Sequence, residues 1–491
     1  MVLKRIFKKK NRRLIATVLY GITTLLFVFL ILKLNALPLK YELLLLSPLV
    51  VLFLLILALT LRVRRKTSQI IMQLVNILLC IGLMIGSFYV AKGSDVLSKI
   101  AGANRKTYTM SLIVQKDAAY ETLDDLAGKT IVLNTAQDAE HLNTTMEVLK
   151  QKLTDVNFSI KDQYAALVDE LSNGTADAIL INEAYRSMLE VENENFSAET
   201  RVIWTYEITS AMADVRKSVD VVNTPFVVYI SGIDTYGSIS TVSRTDVNMI
   251  VTVNPNTKQI LMTSIPRDAW VKLANMNAYD KLTHSGIEGV ENSILTLENF
   301  LGITINYYAR VNFSSVLTIV DALGGIDVSN DMAITTASGY YIPAGDSVHL
   351  NGDEALAFAR ERHAYDYMYE DSERGDQRRV ENQQAVLEAT LKKIMSPKII
   401  TNYTDILSAV EGMFETNMTA GEITDLIAMQ LDDMASWDFI SDKITGHYEY
   451  QYGGAYMPDW NLIYYMTDED SVGTCVSRIN AVLNNQVITE S

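Results

Sequence analysis

The sequence predicts an α/β protein, with two α/β modules of unequal size carried behind three membrane-spanning helices. Three observations predict it. Residues 14–34, 43–61 and 70–91 are almost uncharged apolar runs, each close to the roughly 20 residues that cross a bilayer as helix. Beyond residue 105, short apolar or β-branched runs alternate with amphipathic stretches, the rhythm of strands and helices around a sheet. Charge divides sharply: residues 1–91 hold 13 Lys and Arg against the single acid Glu42, and the rest of the chain holds 29 against 57. At 491 residues there is room for roughly three domains. An acidic body behind a basic membrane end argues against a nucleic-acid reader, because phosphate contacts need a concentrated positive surface.

The three apolar runs read as spans and not as a cleaved signal, which has a shorter apolar core and a small-residue cleavage site. Lys4, Arg5, Lys8, Lys9, Lys10, Arg12 and Arg13 precede the first run, and Arg62, Arg64, Arg65 and Lys66 separate the second from the third. The first loop has only Lys40 with Glu42. Both basic clusters are therefore expected on the cytoplasmic side, with everything after about Lys92 outside the cell. The division is residues 1–91 for the N-terminus and spans, 92–104 for a polar linker, 105–215 for an accessory domain and 216–491 for the main domain. Cys80 falls inside a span and Cys475 near the far end, so no disulfide is expected and both modules must rely on ordinary cores. His141, His284, His349, His363 and His447 lack the spacing of zinc ligands.

In the accessory domain, residues 108–114 read as a strand, TLDDLAGKTIVLN as a helical turn, a Gly stop and a strand, and 140–153 as a helix. Residues 158–160, 165–171 and 178–181 continue the alternation, with a turn at Gly174. Leu126-Ala127-Gly128-Lys129 and the later LSNGTADAILIN resemble one lobe of the periplasmic solute-binding fold. Such lobes hold ligands between two halves and only one fits here, which favours a spacer or docking module over a receptor.

The main domain opens with the strand FVVYISGID, ending at Asp234. In the extended run SRTDVNMIVTVNP, alternate positions put Arg244, Asp246 and Asn248 on one face and Val247, Met249 and Val251 on the other. Residues 259–265 form another strand, ending at Pro266-Arg267-Asp268. If these strands are neighbours, their ends meet on one rim of a sheet, where sites collect. NYYARVNF is a strand, SSVLTIVDALGG a helix stopped by Gly324 and Gly325, and IDVSN a short strand. Arg360 and Arg362 follow, then a polar loop and a helix with Val380, Leu387, Leu391 and Ile394 on one stripe. Projected back, that stripe covers Asp376, Arg379 and Gln383, so polar groups occupy an inward face. Buried charge needs a partner, either an internal Asp/Arg pair or a bound anion.

Singly, Arg244 with Asp246 reads as a surface pair and Arg267 with Asp268 as a helix-cap or turn pair. Together, these arginines and strand-end acids suit phosphoryl transfer. Planar guanidinium forks grip pyrophosphate oxygens, and two carboxylates about twelve residues apart can hold a divalent cation. Phe300, Leu301, Leu317 and Val320 line either an apolar slot or plain core, with core the commoner outcome. The tail is read as helices at 405–414 and 421–434 and a strand and loop at HYEYQYGGAYMPDW, whose aromatics could stack on sugar but more often serve surface or core.

ISGID, SRTD, SIPRD, YARVNFSSVLTIVDALGGIDV, LNGDEALAFARER and DQRRVENQQ, in this order, resemble the LytR-CpsA-Psr family. Three spans and an intervening module resemble its capsule-associated branch. The resemblance implies a membrane-anchored extracellular phosphotransferase that moves a glycopolymer, here capsular polysaccharide, from a polyprenyl-pyrophosphate carrier to peptidoglycan, with pyrophosphatase as a side activity. It implies that Asp234 and Asp246 hold Mg2+ and that Arg244, Arg267, Arg360 and Arg362 bind the pyrophosphate. Asp376, Arg379 and Gln383 match an Asp-x-x-Arg-x-x-x-Gln element that also binds it, and Arg244, Asp246 and Arg267 take the catalytic roles. The implied partners are the lipid-linked polysaccharide, peptidoglycan, the membrane and capsule-assembly proteins, without nucleic acid. Many members carry a further arginine where this chain has Asn382. Arg374 and Arg378 lie off the inner stripe and read as rim or solvent residues. The rival reading is a membrane sensor that binds the lipid carrier without turnover; a transcription factor is incompatible with the expected topology.

Overall fold

Helices α1 (Arg12–Leu34), α2 (Leu39–Arg62) and α3 (Lys66–Ile100) are each long and apolar enough to cross a membrane. The computed structural model describes residues 12–63, 65–233, 238–362, 364, 372–394 and 403–489. Buried Asn76 stitches the three helices together by donating to Thr17 Oγ1 at 3.0 Å, and Thr17 in turn meets Thr60 at 3.2 Å. Residues 92–100, expected within a linker, instead continue α3. Val96 and Ile100 lie one turn apart and are buried, so the extension has an apolar stripe to dock.

The accessory domain is a five-stranded sheet of β1 (Arg105–Gln115), β2 (Thr130–Leu133), β3 (Asn157–Ile160), β4 (Ala178–Asn182) and β5 (Thr200–Ala211), in the order β3-β2-β4-β1-β5. Strand β2 runs parallel to β3 and β4, whereas β1 is antiparallel to β4 and β5. Helix α4 (Ala139–Lys152) covers the sheet with Leu142, Thr145, Met146 and Leu149, at a helical period. Helices α5 (Tyr164–Ser172), α6 (Arg186–Glu192) and α7 (Phe196–Glu199) complete the layer. The long strand β5 escaped the sequence reading because its half-buried edge position needs no continuous apolar run.

The main domain contains β6 (Phe226–Ile233), β7 (Val247–Asn254), β8 (Gln259–Ile265), β9 (Trp270–Leu273) and β10 (Ala278–Lys281). A 3-10 turn (Leu282–Glu288), α8 (Val290–Leu301), β11 (Tyr307–Asn312), α9 (Phe313–Ala322) and β12 (Ile326–Asn330) follow. Next come β13 (Ile334–Thr335), β14 (Tyr341–Ile342), β15 (Gly345–Leu350), α10 (Gly352–Arg360), α11 (Ser372–Ile394) and α12 (Tyr403–Val410). The tail adds β16 (Phe414–Thr416), α13 (Ala420–Asp433), β17 (Asp438–Lys443), β18 (Gly446–Gln451), β19 (Leu462–Thr467) and α14 (Glu469–Leu483). Six strands form the central mixed sheet, in the order β16-β11-β6-β7-β8-β17.

Register brings strand ends to one rim. Gly232 of β6 lies opposite Val247, Asn248 of β7 opposite Ile265, and Asn312 of β11 beside Ile233. One apolar cluster joins Tyr229, Ile250 and Leu261 of this sheet to Tyr108, Leu112 and Leu180 of the accessory domain, so the two modules share a core. A second cluster, with Val320, Phe358, Val386 and Ala389, lies under α9, α10 and α11.

Several sequence expectations change here. Asn248 does not share a site face with Arg244 and Asp246: it is buried, and Tyr229 Oη donates to its Oδ1 at 2.6 Å. Strand β7 is internal and covered on both faces, so period-two alternation does not separate a wet side. Leu301 and partly buried Phe300 belong to the first cluster and Val320 to the second, which makes them core on separate surfaces and not one slot. On α11, Val380, Leu387, Leu391 and Ile394 are only half-buried, and the deep positions are Asn382, Gln384, Val386 and Ala389. The helix is wedged between two surfaces, so its inward side is wider than one stripe. In the tail, Phe414 begins a strand instead of ending a helix.

Candidate pyrophosphate site

Asp246 sits one residue before β7, its N–H donating to Gly232 O at 2.8 Å, which pins the loop to the end of β6. Arg267, two residues past β8, donates from Nη1 to Asp246 Oδ1 at 2.8 Å, and its Nε lies 3.5 Å from Asp268 Oδ2. Lys281 Nζ reaches Asp268 Oδ1 at 2.9 Å. Burial alone would raise the Asp268 pKa, but Lys281, Arg267 and Arg379 outweigh it and hold the carboxyl below the usual range. That influence places Arg379 of α11 in the electrostatic neighbourhood of Arg267. The structure therefore gathers Asp246, Arg267, Asp268 and Lys281 at the rim, with half-buried Arg244 two residues before Asp246 and half-buried Arg379 of α11 near enough to act on Asp268.

The support beneath this loop is close-packed. Thr245 N–H donates to Thr283 O at 3.1 Å and Thr283 N–H to Arg267 O at 2.8 Å. A Cβ on Gly286 would sit 2.5 Å from Ser243 O, so only glycine lets the 3-10 turn lie against the loop.

The other expected residues are placed less centrally. Arg360 is exposed at the last position of α10, and Arg362 is half-buried just beyond. Buried Glu361 stiffens that connection by accepting from the backbone N–H groups of Ala337, Arg362 and Ala364 at 2.5, 3.0 and 2.8 Å. Gln383 is half-buried one turn beyond Arg379. The Asp376 and Arg374 side chains and the whole of Asp234 lie outside the described residues. Arg378 is not simply a solvent residue: it donates to Glu381 Oε2 at 2.9 Å and also pairs with Asp331. Asn382 is buried and donates to Phe358 O at 2.9 Å, tying α11 to the end of α10. Sequence reasoning missed Lys281, which carries no motif and reaches the site only through the β9–β10 pairing.

Among the described residues no group of three or more His, Cys, Asp or Glu is set to hold a metal ion. Magnesium needs less, since one or two carboxylates suffice when phosphate oxygens and water complete the shell. Of the two carboxylates expected to hold it, only Asp246 lies among the described residues, where it accepts from Arg267. A cavity of about 860 Å3 behind α11 is lined by Glu381, Asp442, Lys443, Asp468, Glu469 and Asp470. Its charge has the wrong sign for a pyrophosphate.

In the accessory domain, the crevice outside the carboxyl ends of β2 and β4 is where an open α/β sheet would bind a ligand. Here Asp138 accepts from Asn182 Nδ2 at 2.7 Å and bonds His141 Nδ1 at 2.5 Å. The crevice is met by the main domain: Tyr185 Oη donates to Glu288 Oε1 at 3.1 Å, and the Tyr185 and Tyr456 rings meet edge to face at 5.8 Å.

The LytR_cpsA_psr family model matches residues 194–473, more than half of the chain. A model described as ABC transporter, phosphonate, periplasmic substrate-binding protein matches residues 87–228. The polyisoprenyl-teichoic acid–peptidoglycan teichoic acid transferase TagU of Bacillus anthracis is 36% identical over 205 residues, 42% of this chain and 65% of that relative's own length. TagU of Enterococcus faecalis is 32% identical over 270 residues, 54% of this chain and 81% of the relative. The crystal structure of B. subtilis TagV aligns with 28% identity over 54% of this chain and 99% of that one, at a TM-score of 0.43.

Proposed function

The chain belongs to the LytR-CpsA-Psr family, and on that premise we propose that it transfers a glycopolymer from a polyprenyl-pyrophosphate carrier to peptidoglycan. The observation that carries this reading is the pairing of Arg267 with Asp246 where the ends of β6, β7 and β8 come together, with Asp268 and Lys281 beside them. The named activity of the TagU relatives supports the same chemistry. In this mechanism Arg244, Arg267, Arg360, Arg362, Arg379 and Gln383 bind the pyrophosphate oxygens and fix which phosphorus faces the acceptor. A peptidoglycan hydroxyl oxygen bonds to the phosphorus that bears the glycopolymer. The bridging P–O bond breaks, polyprenyl phosphate leaves, and the hydroxyl proton is lost to solvent.

Asp234 and Asp246 would hold Mg2+, which neutralises charge on the leaving phosphate when bound. For Asp246 to serve the ion, Arg267 must exchange its carboxylate for a phosphate oxygen, a swap its fork geometry permits. The polymer is capsular polysaccharide in the reading that rests on three spans and an accessory module, and teichoic acid in the one the relatives favour. Orientation follows from the basic clusters, with the N-terminus inside and the large domain outside.

The test is transfer by the purified full-length chain, given each lipid-linked polymer and peptidoglycan, with and without Mg2+. Polymer attached to peptidoglycan with release of polyprenyl phosphate is expected. Tight lipid binding without either product would instead establish a sensor.

A further inference from the structure

Apart from Lys281 at its edge, the surface of the two-stranded β9–β10 sheet is not used by the site described above. Its register pairs Trp270 with Lys281 and Lys272 with Tyr279, so these four side chains share one face while Val271, Leu273 and Asp280 are buried beneath. Trp270 is braced edge to face by buried Tyr464, with ring centroids 4.5 Å apart at 69°. Tyr279 lies nearly parallel to Trp270 at 5.5 Å and 19°, and is 49% exposed. The result is a rigid aromatic ledge whose outer ring faces solvent, with exposed Lys272, Asn275 and Asn277 around it.

The ledge adjoins the candidate pyrophosphate site. Trp270 is three residues from Arg267, and Lys281 both pairs with Asp268 and lies 5.6 Å over the Tyr464 ring. Strand β19 closes the join through Tyr465 N–H to Asp268 O at 2.9 Å.

Its position favours a glycan over a lipid surface. The membrane-helix end of the molecule contacts α12, the residue after it and the end of α13: Lys92 meets Ser408 at 2.8 Å, Lys99 meets Glu411 at 2.6 Å and Lys40 meets Asp432 at 2.9 Å. Asp432 adjoins Asp433, which pairs with Lys258 just before β8, and the length of β8, about 20 Å at ~3.3 Å per residue, separates that point from the ledge. Ala103 N–H also bonds Thr416 O of β16 at 2.9 Å. From β16 to β8, which leads into the ledge, the sheet takes four interstrand steps, about 19 Å at ~4.8 Å each. A flat aromatic face offers dispersion and C–H contacts to the apolar faces of pyranose rings, while amides and ammonium groups at its edge reach hydroxyls and carboxylates. Bracing by Tyr464 lowers the ordering cost of binding.

We propose that Trp270 and Tyr279 form the acceptor subsite, binding a peptidoglycan glycan strand on the side of the pyrophosphate site away from the membrane helices. This rests on the transfer reading above. The test uses the full-length protein in detergent with Trp270→Phe, Trp270→Ala and Tyr279→Ala. Steady-state transfer is measured against both substrates, and binding of soluble peptidoglycan glycan oligosaccharides is followed separately by calorimetry.

Tyr279→Ala and Trp270→Ala are expected to raise KM for peptidoglycan at least tenfold and weaken oligosaccharide binding in parallel, with KM for the lipid-linked donor unmoved. Trp270→Phe keeps a ring and should lose less than threefold. Because Tyr279 is half-exposed, its variant keeps the test valid should Trp270→Ala fail to fold. The proposal is overturned by unchanged oligosaccharide binding, by a rise in donor KM instead, or by lost binding to anionic phospholipid vesicles with glycan binding intact. If wild-type protein transfers nothing, the transfer reading fails, and calorimetry still decides the ledge.

Discussion

Arg378 and Arg379 are adjacent in the chain and do different things. Arg379 reaches the electrostatic field of Asp268, whereas Arg378 is held by Glu381 and Asp331. On the transfer reading, truncating Arg379 would remove a charge-assisted phosphate contact of order ~2–5 kcal/mol when desolvated. Lipid-pyrophosphate binding should therefore fall at least tenfold in Arg379→Ala and by less than threefold in Arg378→Ala, measured side by side. Asp268 provides a pH test. Its pKa is depressed in the folded protein, so the stability it contributes is complete above the ordinary carboxylate pKa of 3.8 and is lost as pH falls through the lower folded value. Asp268→Asn leaves Lys281 without that carboxylate, and should cost about 3 kcal/mol at pH 7 in urea unfolding. The gap to wild type should close progressively in acid, below pH ~4.

Helix α11 shows how an element can be read correctly in kind and incorrectly in facing. Its amphipathic pattern is plain, but packing against the sheet on one flank and α10 on the other makes polar Asn382 and Gln384 the buried positions. Asn382 gives Phe358 O, near the end of α10, a second donor beside the Glu361 N–H at 3.3 Å. The substitution that resembles the family's usual residue, Asn382→Arg, should consequently not restore a phosphate contact. It would force a guanidinium into a buried seam and is expected to cost roughly 3 kcal/mol, read as a lower Tm, with no gain in lipid binding. Asn382→Ala should cost about 1–2 kcal/mol through the lost hydrogen bond.

At the scale of the whole molecule, the two outer modules are joined by a common core and by backbone bonds from Thr107 N–H to Ser240 O at 2.9 Å and from Val242 N–H to Thr107 O at 2.7 Å. The accessory crevice is occupied from the main domain by Glu288, whose pKa burial pushes up, and by Tyr456. Calorimetry should accordingly show a single unfolding transition for both modules. Tyr185→Ala removes the Glu288 hydrogen bond and the Tyr456 contact together, and is expected to split that transition into two or lower its Tm by several degrees.

The sequence by itself determined what is local or cumulative. Span length, charge asymmetry, the existence of strands before Asp234 and Arg267 and after Asp246, and the ordered family motifs all follow from neighbours in the chain. Convergence of the β6, β7 and β8 ends was also legible, because consecutive antiparallel strands place alternate ends together. Only the tertiary structure decided which polar residues turn inward and which distant segments pair. Asn248 reads as sharing a face with Arg244 and Asp246 until both faces of its strand are covered, and Asn382, a departure from the family's arginine, is found bonded to Phe358 O in a buried seam. Lys281 reaches Asp268, and β17 joins the central sheet beside β8, through contacts between parts far apart in sequence. Hydrophobic period records that an element has an inside; it carries no information on how many surfaces will close around it.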